Sequence, residues 1–233
     1  MTIGQFRSMN NLSFGYHLNA NSNDIMAAQN GTDYNMTYDG GILGPAAYFN
    51  GSNARVYLAI SVINELLANA TFSMSAVVRP ASGFATFTIV SRGLVWDTNR
   101  YGFDWTISTL GMEIHRWQGA STDYSLTPAF SFTAGHAYLL GITYNKSNGA
   151  TVLYIYPLYH AEPSKISSGT LGTANVAFNA SYDQGWNLGA RLRNISAVYG
   201  KGSMNECLMF NDIRSPAWYK MYYQWLKGHF DWE

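Results

Sequence analysis

The feature that most constrains this chain is a rhythm. Runs of 5–9 residues, β-branched or aromatic, alternate with Gly- or Asn-rich breaks over nearly the whole length. Spacing of that kind favours a sandwich or barrel of short strands over βαβ units. The candidate strands are Phe14–Leu18, Ala46–Phe49, Arg55–Leu58, Phe72–Arg79, Phe84–Ser91, Tyr101–Ser108, Met112–Trp117, Ala137–Tyr144, Thr151–Tyr156, Val176–Phe178, Trp186–Gly189 and Gly202–Phe210. Phe72–Arg79 alternates most cleanly and stops at Pro80, which cannot donate to a ladder. Asn50-Gly51 predicts a tight turn between two of these runs, because Asn-Gly favours positive φ at both central positions. A polar loop is expected from Asn19 through Gly31, and a short helix over Val62–Asn69.

The convincing helix is at the end. Ser215 supplies an N-cap and Pro216 a first-turn proline. Trp218, Met221, Tyr222 and Trp225 then recur at helical spacing and make one apolar face. That face is expected to pack on the core and close an open end of the sandwich.

Composition removes several function classes. The 233 residues carry 14 basic and 14 acidic side chains, only 12% charged, with no Lys/Arg cluster, so neither nucleic acid nor an anionic membrane is attracted at long range. No apolar stretch approaches the roughly 20 residues that span a bilayer. Aromatics reach 15%, dominated by 17 tyrosines, a usage that suits broad sheet faces and contact surfaces. Cys207 is the single cysteine, so no intrachain disulfide forms, and its place in a strand-like run predicts a buried, inert thiol. Met1–Arg7 lacks the basic start and apolar run of a secretory signal, which predicts folding in a cytosol. Asn-x-Ser/Thr triplets at Asn11, Asn30, Asn35, Asn50, Asn69, Asn145, Asn179 and Asn194 are read as compositional, with a secreted, extracellular protein as the alternative.

The order of pieces carries more than any one of them. Tyr16-His17-Leu18 leads into the Asn/Asp-rich Asn19–Asp24, and Gly41–Phe49 approaches the Asn50-Gly51-Ser52-Asn53 turn. Phe72–Pro80 follows, then Ala137–Tyr144 with its partner Thr151–Tyr156, then Gly202–Phe210 and Arg214–Lys220. Over roughly residues 14–226 this order resembles the concanavalin A-like superfamily, in its laminin-G-like (pentraxin-like) branch. The resemblance implies an all-β jelly-roll sandwich of two antiparallel sheets with a short C-terminal helix. It also implies an arm over residues 1–13, one domain over 14–226 and a tail over 227–233. Two departures stand out: Asn205 replaces the usual Asp, which weakens an inherited calcium site, and Tyr156–His160 replaces an Asn-Gly turn.

Catalytic chemistry is poorly supplied. Glycosidases on this fold need two carboxylates on one face about 5–10 Å apart. The five glutamates are Glu65, Glu113, Glu162, Glu206 and Glu233, and only Glu233 has a carboxylate two residues away. Glu113 and Asp104 could share a sheet face, but nothing in the sequence pairs them. The five histidines are dispersed, with no metal-ligand spacing. Calcium would need several converging oxygens, and Asp24 and Asp33, with Asp97 or Asp123, are the only contributors of that kind. No enzyme activity and no cofactor are expected.

Sugar recognition is better supplied, since aromatic rings stack on sugars while planar polar groups fix hydroxyls. Trp96, Asp97, Asn99, Arg100 and Tyr101 form one such loop, and Trp117, Asp123 and Tyr124 another. The alternative for both tryptophans is packing on the sheet rim, and the sequence leaves open whether the two loops share an edge. At the chain ends, isolated Phe6, Phe230 and Trp232 suit contacts in an assembly. The expectation is a non-enzymatic virion protein, a head decoration or tail component at the virion surface. Its partners would be other virion proteins or cell-surface glycans, and a homo-oligomer is compatible. A free carbohydrate-binding lectin domain is the alternative, and a glycoside hydrolase a more distant one.

Overall fold

The computed structural model describes residues 12–23, 30–41, 43–58, 70–94, 101–118, 123–158, 163–173, 185–192 and 197–229. The first strands are β1 (Leu12–His17), β2 (Gly31–Tyr34), β3 (Thr37–Gly41), β4 (Gly44–Asn50), β5 (Arg55–Leu58) and β6 (Phe72–Pro80). Next come β7 (Thr86–Leu94), β8 (Tyr101–Ser108), β9 (Gly111–Gln118), β10 (Asp123–Leu126), β11 (Tyr138–Tyr144) and β12 (Ala150–Pro157). The last are β13 (Lys165–Thr170), β14 (Trp186–Leu188), β15 (Ala190–Arg191), β16 (Val198–Tyr199) and β17 (Lys201–Phe210), followed by helix α1 (Pro216–His229).

Two antiparallel sheets stack face to face. The larger has the order β13-β12-β11-β6-β17-β4-β3, with β1 also beside β17, and the smaller has the order β10-β9-β8-β7-β14-β5-β2. Alternation decides which side chains meet between them. Along β6, Phe72, Met74, Ala76 and Val78 enter the intersheet core, where they join Phe103, Trp105, Ile107, Ile142 and Trp186. The sandwich is all-β with one C-terminal helix, as the sequence reading has it.

Helix α1 departs from expectation in its position. It does not close an open end. It lies on the outer face of the larger sheet, where Trp218, Tyr219, Tyr222 and Leu226 pack on Val77, Leu139, Tyr154, Leu208 and Phe210. Strand β11 is therefore buried at every position, on both faces. The Trp218 amide donates to Ser215 Oγ at 3.2 Å, the N-cap bond expected there. Gly141 makes the approach possible, since a Cβ there would sit 2.2 Å from the Tyr219 ring. The Tyr219 hydroxyl then donates to the carbonyls of Met74 and Ile142 at 2.7 and 2.9 Å.

The Asn50-Gly51 turn is real but joins strands of different sheets, since β4 belongs to the larger and β5 to the smaller. Only Gly51 has positive φ (79°). Asn50 acts instead through its side chain, whose Oδ1 accepts the amides of Ser52, Asn53 and Ala54 at 2.9, 3.0 and 3.2 Å. At Asn205 the β17 register shifts, with Gly202–Met204 following Pro80–Val78 and Glu206–Phe210 following Val77–Ser73. Below that bulge β17 pairs with β1, and above it with β4. The Asn205 amide lies 3.5 Å from the Gly44 and Pro45 carbonyls, a donor position that a carboxylate could not fill.

Strands β2, β3, β10 and β13 are absent from the sequence reading. Their sequences, such as TYDGG and KISSGT, lack a buried apolar face. Val62–Asn69 and Val176–Phe178 lie outside the described residues. Cys207 is fully buried and its thiol is pushed up to about 12 by desolvation, helped by the nearby Glu206 charge. No helix among the described residues is long and apolar enough to cross a membrane.

Candidate functional site

The residues singled out in the sequence fall in several places. Trp96, Asp97, Asn99, Arg100, Asp24, Phe6, Phe230 and Trp232 lie outside the described residues. Trp117 pairs with Asp123, and Tyr124 with Arg116, across the β9–β10 ladder. Leu94, Tyr101 and Gln118 are successive partners on β7, β8 and β9. Leu94, Tyr101, Gln118 and Asp123 therefore all lie at the same end of the smaller sheet. Asp33 accepts the Tyr38 hydroxyl at 2.7 Å. No group of three His, Cys, Asp or Glu among the described residues has metal-holding geometry.

Asp104 and Glu113 do come near each other, as Asp104 faces His115 and Glu113 faces Thr106 across β8–β9. Their environments differ from those of a glycosidase pair. Asp104 is completely buried and meets Arg191 Nη1 at 2.6 Å, beneath the segment where Ser91 Oγ donates to the Ala190 carbonyl at 2.6 Å. Desolvation raises the Asp104 pKa, against the opposing Arg191 charge. Glu113 is lowered, chiefly by its hydrogen bond with His115. The first carboxyl is shut away from any substrate by Arg191, so the pair is read as a buttress for the β15–β16 hairpin.

An open concavity lies elsewhere, on the outer face of the larger sheet at the end that α1 does not cover. Its volume is about 430 Å³, and its walls include Asp39, Tyr48, Arg79, Ser82, Gly135 and Ser203. Register explains the gathering. Thr37 pairs with Tyr48, Tyr48 with Ser203, and Ser203 with Arg79, one row across β3, β4, β17 and β6. Tyr48 is half-buried in the middle, while Asp39 and Arg79 are exposed at the flanks. Arg79 Nε donates to the Gly135 carbonyl at 2.7 Å, which orients the guanidinium, and Gly135 N donates to the Pro80 carbonyl at 2.7 Å. Gly202 allows the close approach of β17 to the end of β6, since a Cβ there would sit 2.4 Å from the Arg79 carbonyl. An aromatic ring between a carboxylate and a guanidinium, with a serine hydroxyl on the same row, can stack on one face of a ligand and hydrogen-bond its rim.

Sequence reading missed this cleft because its residues come from five separate segments. The one available signal was the alternation of Arg79 with Val78 and Pro80 at the end of a strand otherwise buried on both faces.

The architecture defines an all-β sandwich of two antiparallel sheets, and the comparisons agree on the fold. No protein-family model matches the chain, and no curated protein matches it in sequence. Among solved structures it is similar to domain 4 of AbnA, a GH43 extracellular arabinanase from Geobacillus stearothermophilus, in complex with arabinotriose. The TM-score is 0.62 at 20% identity, over 91% of this chain and 97% of that one. It is also similar to the binding domain of botulinum neurotoxin DC in complex with SialylT, at TM-score 0.62 and 11% identity, over 93% of this chain. It spans about half of that neurotoxin chain, 51%. The CBM40 of a Ruminococcus gnavus IT-sialidase, bound to α2,3-sialyllactose, matches at TM-score 0.51 and 16% identity, over 64% of this chain and 80% of that one.

Proposed function

We propose that this chain is a non-catalytic glycan-recognition domain and that the Asp39–Tyr48–Arg79–Ser203 cleft holds the sugar. The observation that carries the reading is the Tyr48 ring, half-buried in an open cleft with the exposed Asp39 and Arg79 on either side. Stacking on Tyr48 would supply affinity, and the planar carboxylate and guanidinium would select hydroxyl geometry. The similar structures bound to arabinotriose, SialylT and sialyllactose support the class of ligand. The buried, Arg191-bound Asp104 supports a role other than hydrolysis.

A glycan array is the test. Binding that is lost in Tyr48→Ala, with the thermal unfolding midpoint unchanged, is the expected result. Binding that survives this variant would move the site to the end of the smaller sheet that carries Tyr101, Trp117 and Asp123. The Trp117–Asp123 register pair favours that end as the second site, and Trp117→Ala tests it.

Display on a virion surface, as a head or tail component, is the setting we propose. It is supported by the near-neutral, low-charge composition and by a fold that needs no disulfide. Co-purification with intact particles at fixed stoichiometry is expected, and its failure would leave the free lectin domain.

A further inference from the structure

We infer that the ligand is acidic: a carboxylated oligosaccharide whose acid group is held between Arg79 and Lys201, astride the turn over residues 81–85. This rests on the cleft being the glycan site.

The argument starts from where positive charge is already engaged. Arg191 meets Asp104 and Arg214 meets Asp212. Arg116 donates to Tyr144 Oη and to the Leu171 and Gly172 carbonyls, while Lys146 and Lys165 each donate to a backbone carbonyl. Arg79 is different: its Nε donates to the Gly135 carbonyl, and among the described residues its exposed guanidinium meets no carboxylate. Lys201, two residues before Ser203 on β17, also has no counter-ion among the described residues.

Register makes these two cations neighbours. Ser203 pairs with Arg79, and the Ala81 amide donates to the Lys201 carbonyl at 2.9 Å. Lys201 is thus the diagonal neighbour of Arg79 on the adjacent strand, about 7–8 Å away at the backbone. Like charges so placed repel, and a single anion between them removes the repulsion. The Lys201 ammonium comes within 3.4 Å of where a Gly83 Cβ would lie, so it reaches over the turn.

The nearest acid on the cleft wall does not neutralise them. Asp39 sits on β3, three strand spacings from β6, or about 14 Å. That exceeds the screening length of about 10 Å at 0.1 M salt. Asp39 is therefore placed to accept hydroxyls at the far end of a ligand that lies across Tyr48.

A second concavity of about 180 Å³ continues the surface past the ridge, lined by Gly83, Phe84, Tyr199 and Lys201 among others. It gives the acid-bearing end of the chain room for a further sugar or substituent. The specificity implied is a carboxylated sugar next to a neutral one.

Matched pairs test this: sialyllactose against lactose, and oligogalacturonate against its methyl ester, measured by titration calorimetry on the full chain at two salt concentrations. The acidic member of at least one pair should bind about tenfold more tightly, the gain of one charge-assisted contact. The preference should fall as salt rises and should be lost in Arg79→Gln. Lys201→Met, which breaks no internal hydrogen bond, should reduce it without altering the unfolding midpoint. Equal binding of acidic and neutral members, abolished by Tyr48→Ala, would overturn the acidic ligand and leave the glycan site standing. Absence of binding by every glycan on an array would overturn both.

Discussion

The two ends of the outer face of the larger sheet are built from the same strands and do opposite things. At one end Val77 on β6 and Leu208 and Phe210 on β17 are covered by α1, and the layer is an aromatic stack. Tyr154 and Tyr219 lie with centroids 4.2 Å apart and rings 18° from parallel, and the Tyr222 hydroxyl donates to buried Glu206. At the other end the same two strands carry Arg79, Ser203 and Lys201 on the walls of two concavities, and no described element lies over them. The difference teaches that one sheet face can be divided between stability and recognition by where a helix stops covering it. The bulge at Asn205 marks the division, since β17 changes neighbours there from β1 to β4.

If the division is correct, substitutions under the helix act on stability and those over the cleft act on binding. The largest effect belongs to Trp218→Ala, which should cost about 3–5 kcal/mol by the loss of a buried aromatic and the cavity left behind. Denaturant titration measures it directly. Labelling of Cys207, buried with its thiol held up near 12, should speed in proportion and serve as an independent readout.

Arg191→Met on the smaller sheet should cost about 3 kcal/mol at neutral pH, because it leaves the buried Asp104 carboxylate without its partner. Burial already raises the folded Asp104 pKa, and removing Arg191 raises it further. The unfolded chain then ionises first, so the deficit is fullest above the folded pKa and narrows as the pH falls toward about 4. A deficit that is independent of pH would show that packing of Arg191, and not its charge, holds the hairpin.

Tyr219→Phe keeps the ring over Gly141 and removes only the bonds to Met74 and Ile142, so about 1–1.5 kcal/mol is expected. Tyr48→Ala should stay within about 0.5 kcal/mol of the parent in stability while abolishing glycan binding. A large loss of stability from Tyr48→Ala would erase the contrast between the two ends.

Much of the sandwich was legible in the sequence because its strands carry their own signals. Phe72–Pro80 alternates, Pro80 stops it, and Ser215-Pro216 starts a helix with its apolar residues at the right spacing. Strands β3 and β13 gave no such signal. They sit at sheet edges, where half of each strand faces water and pairing comes from the neighbour's backbone. Asn50-Gly51 signalled a turn but not its destination, since a crossover between sheets uses the same residue types as a hairpin. In the tryptophan segments, rings and polar groups are adjacent in sequence, which makes them legible there. The cleft is not, because Asp39, Tyr48, Arg79, Gly135 and Ser203 are adjacent only across strands.

By itself the sequence determined the class of fold, the buried thiol and the terminal helix. Each of these depends on local pattern: period-two alternation, a cap and a proline, an apolar run around one cysteine. Only the tertiary structure decided which face the helix covers and which residues share the open end. Pairing register and the Asn205 bulge set those relations, and both arise from contacts between segments as far apart in the chain as Leu12 and Phe210, or Gly44 and Asn205.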